Sequence, residues 1–105
     1  MTQDYISYIR SKVGHDKIIL TFAGGILTDK DGRVLLQLRG DKKTWAIPGG
    51  AMELGESTLD TAKREFFEET GIKVQATRFL NVYTNFEEVY PNGDKVQTVV
   101  MIYEF

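Results

Sequence analysis

The segment from Ser57 to Gly71 predicts an α-helix, and this helix constrains how the rest of the chain can fold. Ser57 is a favourable N-cap residue, and Asp60, three positions later, resembles the second member of a capping box. Gly71 ends the segment with the residue type that most often follows a helix in the left-handed conformation. The apolar side chains of this helix share one face, and they are Leu59, Ala62 and Phe66. The remaining chain must therefore provide an apolar surface that covers this face.

Two extended runs precede the helix. Residues 18 to 28 are continuously apolar and rich in β-branched side chains, which predicts a strand buried on both faces. Within this run, Gly24 and Gly25 indicate a bulge or a close approach of another backbone. Asp31-Gly32 is a turn signal ahead of residues 33 to 39, so we expect the two runs to form a hairpin.

The other segments are shorter or less regular. Residues 40 to 56 are rich in Gly and contain a Pro, which predicts a shaped loop with short extended pieces. Residues 72 to 86 and 94 to 105 are β-rich, and Asn92-Gly93 between them is a strong hairpin turn. Residues 1 to 16 predict an arm or a short helix. The order of these elements favours an α/β (α+β) domain, in which a helix packs on a mixed sheet.

Composition limits the chain to one small domain covering residues 1 to 105, with 42% hydrophobic residues to build one core. The formal net charge of -2 provides no general attraction for nucleic acid or anionic lipid. The chain has no cysteine, which excludes disulfides, thiolate nucleophiles and cysteine-ligated zinc. Neither a signal peptide nor a membrane-spanning run is present in the sequence, so we expect a soluble cytoplasmic protein.

Three carboxylates of the predicted helix project from one face near its C-terminal end. At helical spacing, Glu65, Glu68 and Glu69 fall within an arc of about 100°. The helix macrodipole disfavours negative charge at this end, and within the helix only Arg64 is placed to offset it. Hard oxygen donors at this spacing suit Mg²⁺ or Mn²⁺, although solvated glutamates on an amphipathic helix are the simpler alternative.

The residues around these glutamates form a longer pattern. From Gly50, the sequence continues with five residues, Glu56, seven residues and then REFFEETGI from Arg64 to Ile72. This arrangement resembles the Nudix box of the Nudix hydrolase family at every fixed position, including the apolar position filled by Phe66. The preceding segments WAIPGGAMELGES and VLLQLR also look like the flanking strands of that family.

The resemblance implies a magnesium-dependent hydrolase in which Glu65, Glu68 and Glu69 bind the metal together with the backbone carbonyl of Gly49. Manganese is expected to substitute for magnesium.

The resemblance also implies supporting roles within the same motif. Glu56 and Arg64 match the pair that ties the loop to the helix and orients the carboxylates. The general base remains open, because either Glu65 or Glu68 suits the role, and in some relatives a later loop supplies it.

The resemblance further implies a Nudix-like mixed sheet with the Nudix helix packed on it. The chain stops at Tyr103-Glu104-Phe105 within a strand pattern. We therefore expect it to lack the C-terminal strand and helix of the full α/β/α sandwich. A homodimer that covers the exposed sheet edge is the alternative expectation.

Three residues are weaker candidates for substrate binding. Arg39 lies where a strand enters the loop and suits a substrate phosphate, although an exposed strand-end arginine is an equal alternative. Gly50 allows the backbone to approach a phosphate closely. Tyr90 lies near the position of a substrate-stacking tyrosine in relatives that split dinucleoside polyphosphates, but packing beside Pro91 in the turn is the favoured interpretation.

The remaining polar and aromatic residues of interest have structural interpretations. We expect Trp45 to pack in the core or loop rather than to stack on a base, and His15 to lie on the surface. Glu87 and Glu88 are expected in a solvated loop rather than in an acidic supplement to the site. The phenylalanines expected in the core are Phe66, Phe67, Phe79 and Phe86.

The main functional hypothesis is a pyrophosphohydrolase acting on a nucleoside diphosphate linked to another moiety. ADP-ribose-like compounds, nucleoside triphosphates and dinucleoside polyphosphates all remain open as substrates. A non-catalytic domain that senses nucleotides is the alternative, although such domains usually lose box glutamates and none is lost here. An RNA 5′-end hydrolase would need a basic groove, which the net charge of -2 does not favour.

Overall fold

The structure is a computed structural model that describes residues 4–40 and 43–105. Positions 1–3 of the N-terminal segment and 41–42 of the predicted loop lie outside the described residues. Within the described ranges the elements are α1 (Tyr5–Val13), β1 (Ile18–Ile26), β2 (Gln37–Arg39), β3 (Thr44–Ala46), β4 (Gly49–Ala51), α2 (Thr58–Thr70), β5 (Arg78–Val89) and β6 (Lys95–Glu104).

Helix α2 begins and ends where its capping residues predict. The Ser57 hydroxyl accepts a hydrogen bond from the backbone N–H of Asp60 at 3.0 Å. The Asp60 carboxylate accepts one from the backbone N–H of Ser57 at 3.1 Å, which completes the capping box. Gly71 follows the helix with a φ of 76°, and its N–H donates to the carbonyl of Phe67 at 2.8 Å. The predicted helix is therefore confirmed, together with both of its caps.

Four strands form the main sheet in the order β4-β1-β6-β5. Strand β1 pairs antiparallel with β4 and parallel with β6, and β5 pairs antiparallel with β6. Strands β2 and β3 form a separate antiparallel pair. The predicted mixed sheet is thus confirmed, and β6 lies inside it between β1 and β5.

The core lies between α2 and this sheet, because α2 packs mainly against β1 and β4. Phe66 is fully buried, and its ring meets that of Phe105 edge to face with centroids 5.1 Å apart. Burial of this one side chain contributes roughly 2 to 3 kcal/mol. The buried apolar residues are Leu20, Ala23, Ala62, Phe66, Val74 and Val96.

The predicted turn at Asn92-Gly93 is confirmed. Tyr90 and Asp94 close it through a 2.8 Å backbone hydrogen bond, and Gly93 has a φ of 91°. Strand β5 differs from the prediction, because it begins at Arg78 rather than at residue 72 and continues to Val89.

The expected hairpin between residues 18 to 28 and 33 to 39 forms only in part. A single antiparallel bridge joins Thr28 and Val34, and regular strand begins again only at Gln37. Strand β1 forms its backbone hydrogen bonds with β6 and β4 instead. The sequence did not predict these pairings, because the residues that follow β1 directly were expected to be its partner.

Two expectations for β1 are wrong. The register with β6 is unbroken from Ile18 to Ile26, so the glycines form no bulge there. Ile19 is 64% exposed, so the strand is not buried on both faces along its length. The alternative of a close approach is correct, because a Cβ on Gly24 would lie 2.6 Å from the Pro48 carbonyl oxygen.

Most of the aromatic residues expected to pack in the core, or in the core or loop in the case of Trp45, are exposed instead. Phe66 is buried as expected, whereas Trp45, Phe67, Phe79 and Phe86 are 45% to 66% exposed. Phe79 and Phe86 lie on β5, at the edge of the sheet, and Trp45 lies on the two-stranded pair. Other segments of the chain therefore cover these side chains less completely than they cover a side chain that lies between α2 and the sheet.

The N-terminal segment, predicted as an arm or a short helix, forms helix α1 from Tyr5 to Val13. The carboxylate of Asp4 accepts from the backbone N–H of Ser7 at 2.7 Å and so caps the first turn. His15 lies on the surface as expected, with its Nδ1 2.7 Å from a carboxylate oxygen of Asp94. In the part of the chain that the structure describes, neither helix has the length and apolar content needed to cross a membrane.

Candidate functional site

Arg64 of α2 connects the loop before the helix to the helix itself. Its Nε and Nη2 donate to the two carboxylate oxygens of Glu56 at 2.6 and 3.0 Å, and Nη2 also donates to the Ala51 carbonyl at 3.1 Å. Nη1 donates to Glu65 at 2.7 Å and lies 3.4 Å from Glu68. The guanidinium thus holds a loop carboxylate on one side and two helix carboxylates on the other.

This contact sets the ionisation of the pair. Hydrogen bonding from Arg64 is the main cause that lowers the pKa of Glu56 to about 2, and a backbone N–H from Glu53 and the Thr61 hydroxyl add to it. The same hydrogen bond raises the pKa of Arg64 above its ordinary value. Glu56 and Arg64 are therefore charged across the whole neutral range, which suits a fixed brace rather than proton transfer.

Glu65 and Glu69 lie against a glycine backbone. A carboxylate oxygen of Glu69 accepts from the backbone N–H of Gly49 at 3.0 Å and from the Gln37 amide at 2.8 Å. A Cβ added to Gly50 would overlap the carboxyl group of Glu65. The absence of a side chain at Gly50 is what allows β4 and this carboxylate to lie so close together.

The surroundings of Glu69 change the ionisation of its carboxylate. Glu69 is exposed as a residue, but partial desolvation of its carboxylate raises its pKa to about 7, and the nearby charge of Glu65 adds to this. The hydrogen bonds from Gly49 and Gln37 oppose the shift without cancelling it. The site therefore concentrates negative charge that a bound cation would relieve.

A cavity of about 530 Å³ opens beside these carboxylates, within the size range of small-molecule sites. The predicted site residues that line it are Arg39, Gly49, Gly50, Glu65, Glu69 and Tyr90. The predicted site residues outside its lining are Glu56, Arg64 and Glu68.

The far wall of the cavity comes from β5 and the turn after it. Arg39, at the end of β2, lies 3.5 Å from Glu88 of β5, and both line the cavity. The solvated loop expected for Glu87 and Glu88 is thus wrong, because both are strand residues and Glu87 pairs with Lys17 at 2.6 Å. Burial and the charge of Glu88 raise the pKa of Tyr90.

The glycine positions define a part of the cavity that carries no side chains. Gly24 of β1 pairs directly with Gly49 of β4. A Cβ on Gly49 would lie 2.7 Å from the carbonyl oxygen of Ala23 and 2.8 Å from the Cα of Gly24. Both glycines line the cavity, so peptide groups rather than side chains face its contents there.

The donor set fits a divalent metal in its chemistry, since it combines carboxylate oxygens, close like charges and a glycine backbone. In residues 4–40 and 43–105, however, no three acidic or imidazole side chains are gathered closely enough to ligate one ion. Glu65 and Glu68 face Arg64, while Glu69 faces the N–H of Gly49. Metal binding would therefore require rotamer changes of these side chains.

Several residues that line the cavity were not among the candidates predicted from the sequence. Ile6 of α1 and Gln37 of β2 line it, and neither was a candidate. Nothing local in the sequence marks Ile6, because its position depends on how α1 docks onto the rest of the fold. Gln37 lies two positions before Arg39 on the same strand, so strand alternation would have placed both on one face.

Comparison with known proteins agrees with the motif and with the fold. The sequence profile described as NUDIX domain matches residues 21–104. A MutT-like protein of Streptomyces ambofaciens is 43% identical over 61 residues, which cover 58% of this chain and 40% of that protein. An ADP-ribose pyrophosphatase of Methanocaldococcus jannaschii is 31% identical over 101 residues, which cover 93% of this chain and 54% of that protein.

A solved structure of the Mutator MutT protein from Bacillus halodurans has a TM-score of 0.66 at 30% identity. The match covers 81% of this chain and 54% of that one. The matches to these three relatives thus span about half of their length, from 40% to 54%. Because the family profile extends from β1 to the end of β6 and includes the whole glutamate motif, this chain belongs to the NUDIX domain family.

Proposed function

We propose that this chain is a metal-dependent pyrophosphohydrolase that cleaves a phosphoanhydride in a nucleoside diphosphate linked to another moiety. The observation that carries the proposal is the position of Glu65 and Glu69, which line a cavity beside the backbone of Gly49 and Gly50. Carboxylates crowded in this way favour a cation, and a cavity of this size accommodates a nucleotide.

Glu65, Glu68, Glu69 and the Gly49 carbonyl are the groups that would hold Mg²⁺ or Mn²⁺. When bound, the ion supplies charge neutralisation on the phosphates and lowers the pKa of a water molecule.

The chain's own side chains have separate roles around that centre. Arg64 and Glu56 act as positioning residues, because they hold the loop and two carboxylates in one network. Arg39 offers a planar donor to a substrate phosphate from the cavity wall. Glu65 and Glu68 are the two candidates to accept the proton of the attacking water.

The name of one similar protein suggests which substrate to test first. The Methanocaldococcus jannaschii relative is named an ADP-ribose pyrophosphatase and aligns over 93% of this chain. ADP-ribose is therefore the first substrate to test, followed by nucleoside triphosphates and dinucleoside polyphosphates.

The test is to incubate the 105-residue chain with each compound and Mg²⁺, then with Mn²⁺, and to measure the release of nucleoside monophosphate. We expect Glu68→Gln and Glu69→Gln each to lower kcat by about 100-fold or more while the chain stays folded. Glu87→Gln is the matched control and should leave the rate unchanged, because Glu87 lies on β5, outside the glutamate motif of α2, and pairs with Lys17. Nucleotide binding without turnover in the unmodified chain would instead favour a sensing domain.

A further inference from the structure

Helix α1 contributes to the cavity although it lies outside the segment that the family profile matches. The profile begins at residue 21, whereas α1 spans Tyr5–Val13. Ile6 nevertheless lines the same cavity as Glu65 and Glu69. This part of the cavity wall is therefore an addition to the matched domain, and Ile6 contributes an apolar side chain to it.

Two contacts hold α1 in place, one near its beginning and one further along the helix. The backbone N–H of Tyr5 donates to a carboxylate oxygen of Glu53 at 2.8 Å, and Glu53 in turn donates its own N–H to Glu56 at 3.0 Å. Further along the helix, Nε of Arg10 lies 3.6 Å from the carboxylate of Asp94 in the β5–β6 turn. Helix α1 thus bridges the loop before α2 and the turn after β5.

Ile6 lies at a distinct end of the cavity. A second cavity, of about 390 Å³, lies between α1 and the β5–β6 turn, and Ile6 and Tyr90 line both cavities. Glu65 and Glu69 line the first cavity but not the second. Ile6 and Tyr90 therefore mark the end that adjoins the second cavity, whereas the carboxylates occupy another part of the first.

We infer that Ile6 is a specificity-determining residue, which packs with Tyr90 against the flat apolar face of the substrate's nucleobase. This inference rests on the proposed function and extends it to the choice of substrate. An isoleucine side chain has no hydrogen-bond donor for a phosphate or a sugar hydroxyl. Its contact with an aromatic face removes apolar surface from water, which favours binding. A diphosphate held near Glu65 and Glu69 would leave the attached nucleoside free to extend toward Ile6 and Tyr90, in a cavity whose wall also includes the ion pair of Arg39 and Glu88.

The first test compares Ile6→Ala with Ile9→Ala in steady-state kinetics on the best substrate of the panel. Ile9 is on the same helix but lines neither cavity, so it controls for general loosening of α1. We expect Ile6→Ala to raise KM about five- to tenfold with kcat within twofold, because only contact with the base is lost. Ile9→Ala is expected to leave KM unchanged.

The second measurement separates the base from the phosphates through competitive inhibition by two probes. Adenosine monophosphate carries a base, and inorganic pyrophosphate carries none. Ile6→Ala should weaken inhibition by adenosine monophosphate by the same five- to tenfold and leave inhibition by pyrophosphate unchanged.

A third pair of variants moves the helix without touching Ile6. Tyr5 is the first residue of α1, where proline is tolerated, and Asp4 before it is extended, as a residue preceding proline should be. Tyr5→Pro removes the N–H that binds Glu53, whereas Tyr5→Ala keeps it. We expect Tyr5→Pro to raise KM relative to Tyr5→Ala.

The outcomes separate the two proposals. If the unmodified chain hydrolyses nothing in the panel, the proposed function fails. If it hydrolyses a nucleotide, but Ile6→Ala changes neither KM nor adenosine monophosphate inhibition, or weakens both inhibitors equally, the role of Ile6 is wrong. Should Ile6→Ala fail to fold, equal KM values for Tyr5→Pro and Tyr5→Ala would overturn the inference.

Discussion

Replacement of Glu56 by Gln removes the charge that anchors Arg64. Glu56 is 19% exposed and accepts hydrogen bonds from Arg64, from the Thr61 hydroxyl and from the backbone N–H of Glu53. The glutamine amide keeps one acceptor oxygen but turns a donor toward the guanidinium. Since a hydrogen bond to a charged group contributes about 1.5 to 3 kcal/mol, we expect Glu56→Gln to lower the free energy of unfolding by about 2 kcal/mol.

Urea and thermal unfolding at about pH 7 measure this effect, which corresponds to a fall in Tm of about 8 to 10 °C for a domain of this size. The effect should also depend on pH. The pKa of Glu56 is about 2 in the folded chain and 4.5 in its reference state. Because the folded value is the lower one, the stabilisation is complete above about pH 4.5 and is lost as pH falls toward 2.

The difference in stability between the unmodified chain and Glu56→Gln should therefore shrink between about pH 4.5 and pH 2. Glu87→Gln provides the control, since it breaks an exposed ion pair with Lys17 and should change stability only slightly. If Glu56→Gln left Tm unchanged, or if its effect were as large at about pH 3 as at pH 7, the brace would not act through the charge of Glu56.

Two further predictions concern the glutamates that line the cavity. The pKa of Glu69 is raised to about 7, so protons compete with the metal for this carboxylate. Calorimetric titration should therefore show that Mg²⁺ affinity rises from about pH 6 to about pH 8. Equal affinity at the two pH values would contradict a ligand role for Glu69. Gly50→Ala places a Cβ on the carboxyl group of Glu65 and should lower kcat at least about tenfold. Gly40→Ala, whose Cβ would meet no atom within 4 Å, should keep normal turnover, and equal rates for the two variants would show that Gly50 is not needed for close approach.

The parts of the fold that the sequence predicted well depend on local interactions. The caps of α2 involve residues three or four positions apart, and Ser57, Asp60 and Gly71 carry that information themselves. The turn at Asn92-Gly93 is equally local, because glycine there adopts a positive φ that other residues avoid. The spacing of Glu65, Glu68 and Glu69 on one helix is local as well, but only Glu65 and Glu69 line the cavity, while Glu68 faces Arg64.

The parts that were missed depend on contacts between distant segments. The parallel pairing of β1 with β6 joins Ile18 to Val96, and no neighbouring turn encodes it. Phe79 and Phe86 were expected in the core from residue type, but exposure follows from the edge position of β5, which is a property of the assembled sheet. Ile6 and Glu88 reach the cavity for a comparable reason, because docking of α1 and β5 brings them there.

The facing glycines of β1 and β4 limit which substitutions this part of the cavity can accept. Point mutation exchanges side chains, yet at Gly24 and Gly49 any added side chain collides with main-chain atoms of the neighbouring segment, which cannot be exchanged in turn. A mutation at one position therefore has no compensating partner at the other. A side chain at either glycine would therefore require the two strands to move apart, whereas α1 and β5 can change the wall of the cavity by exchange of side chains alone.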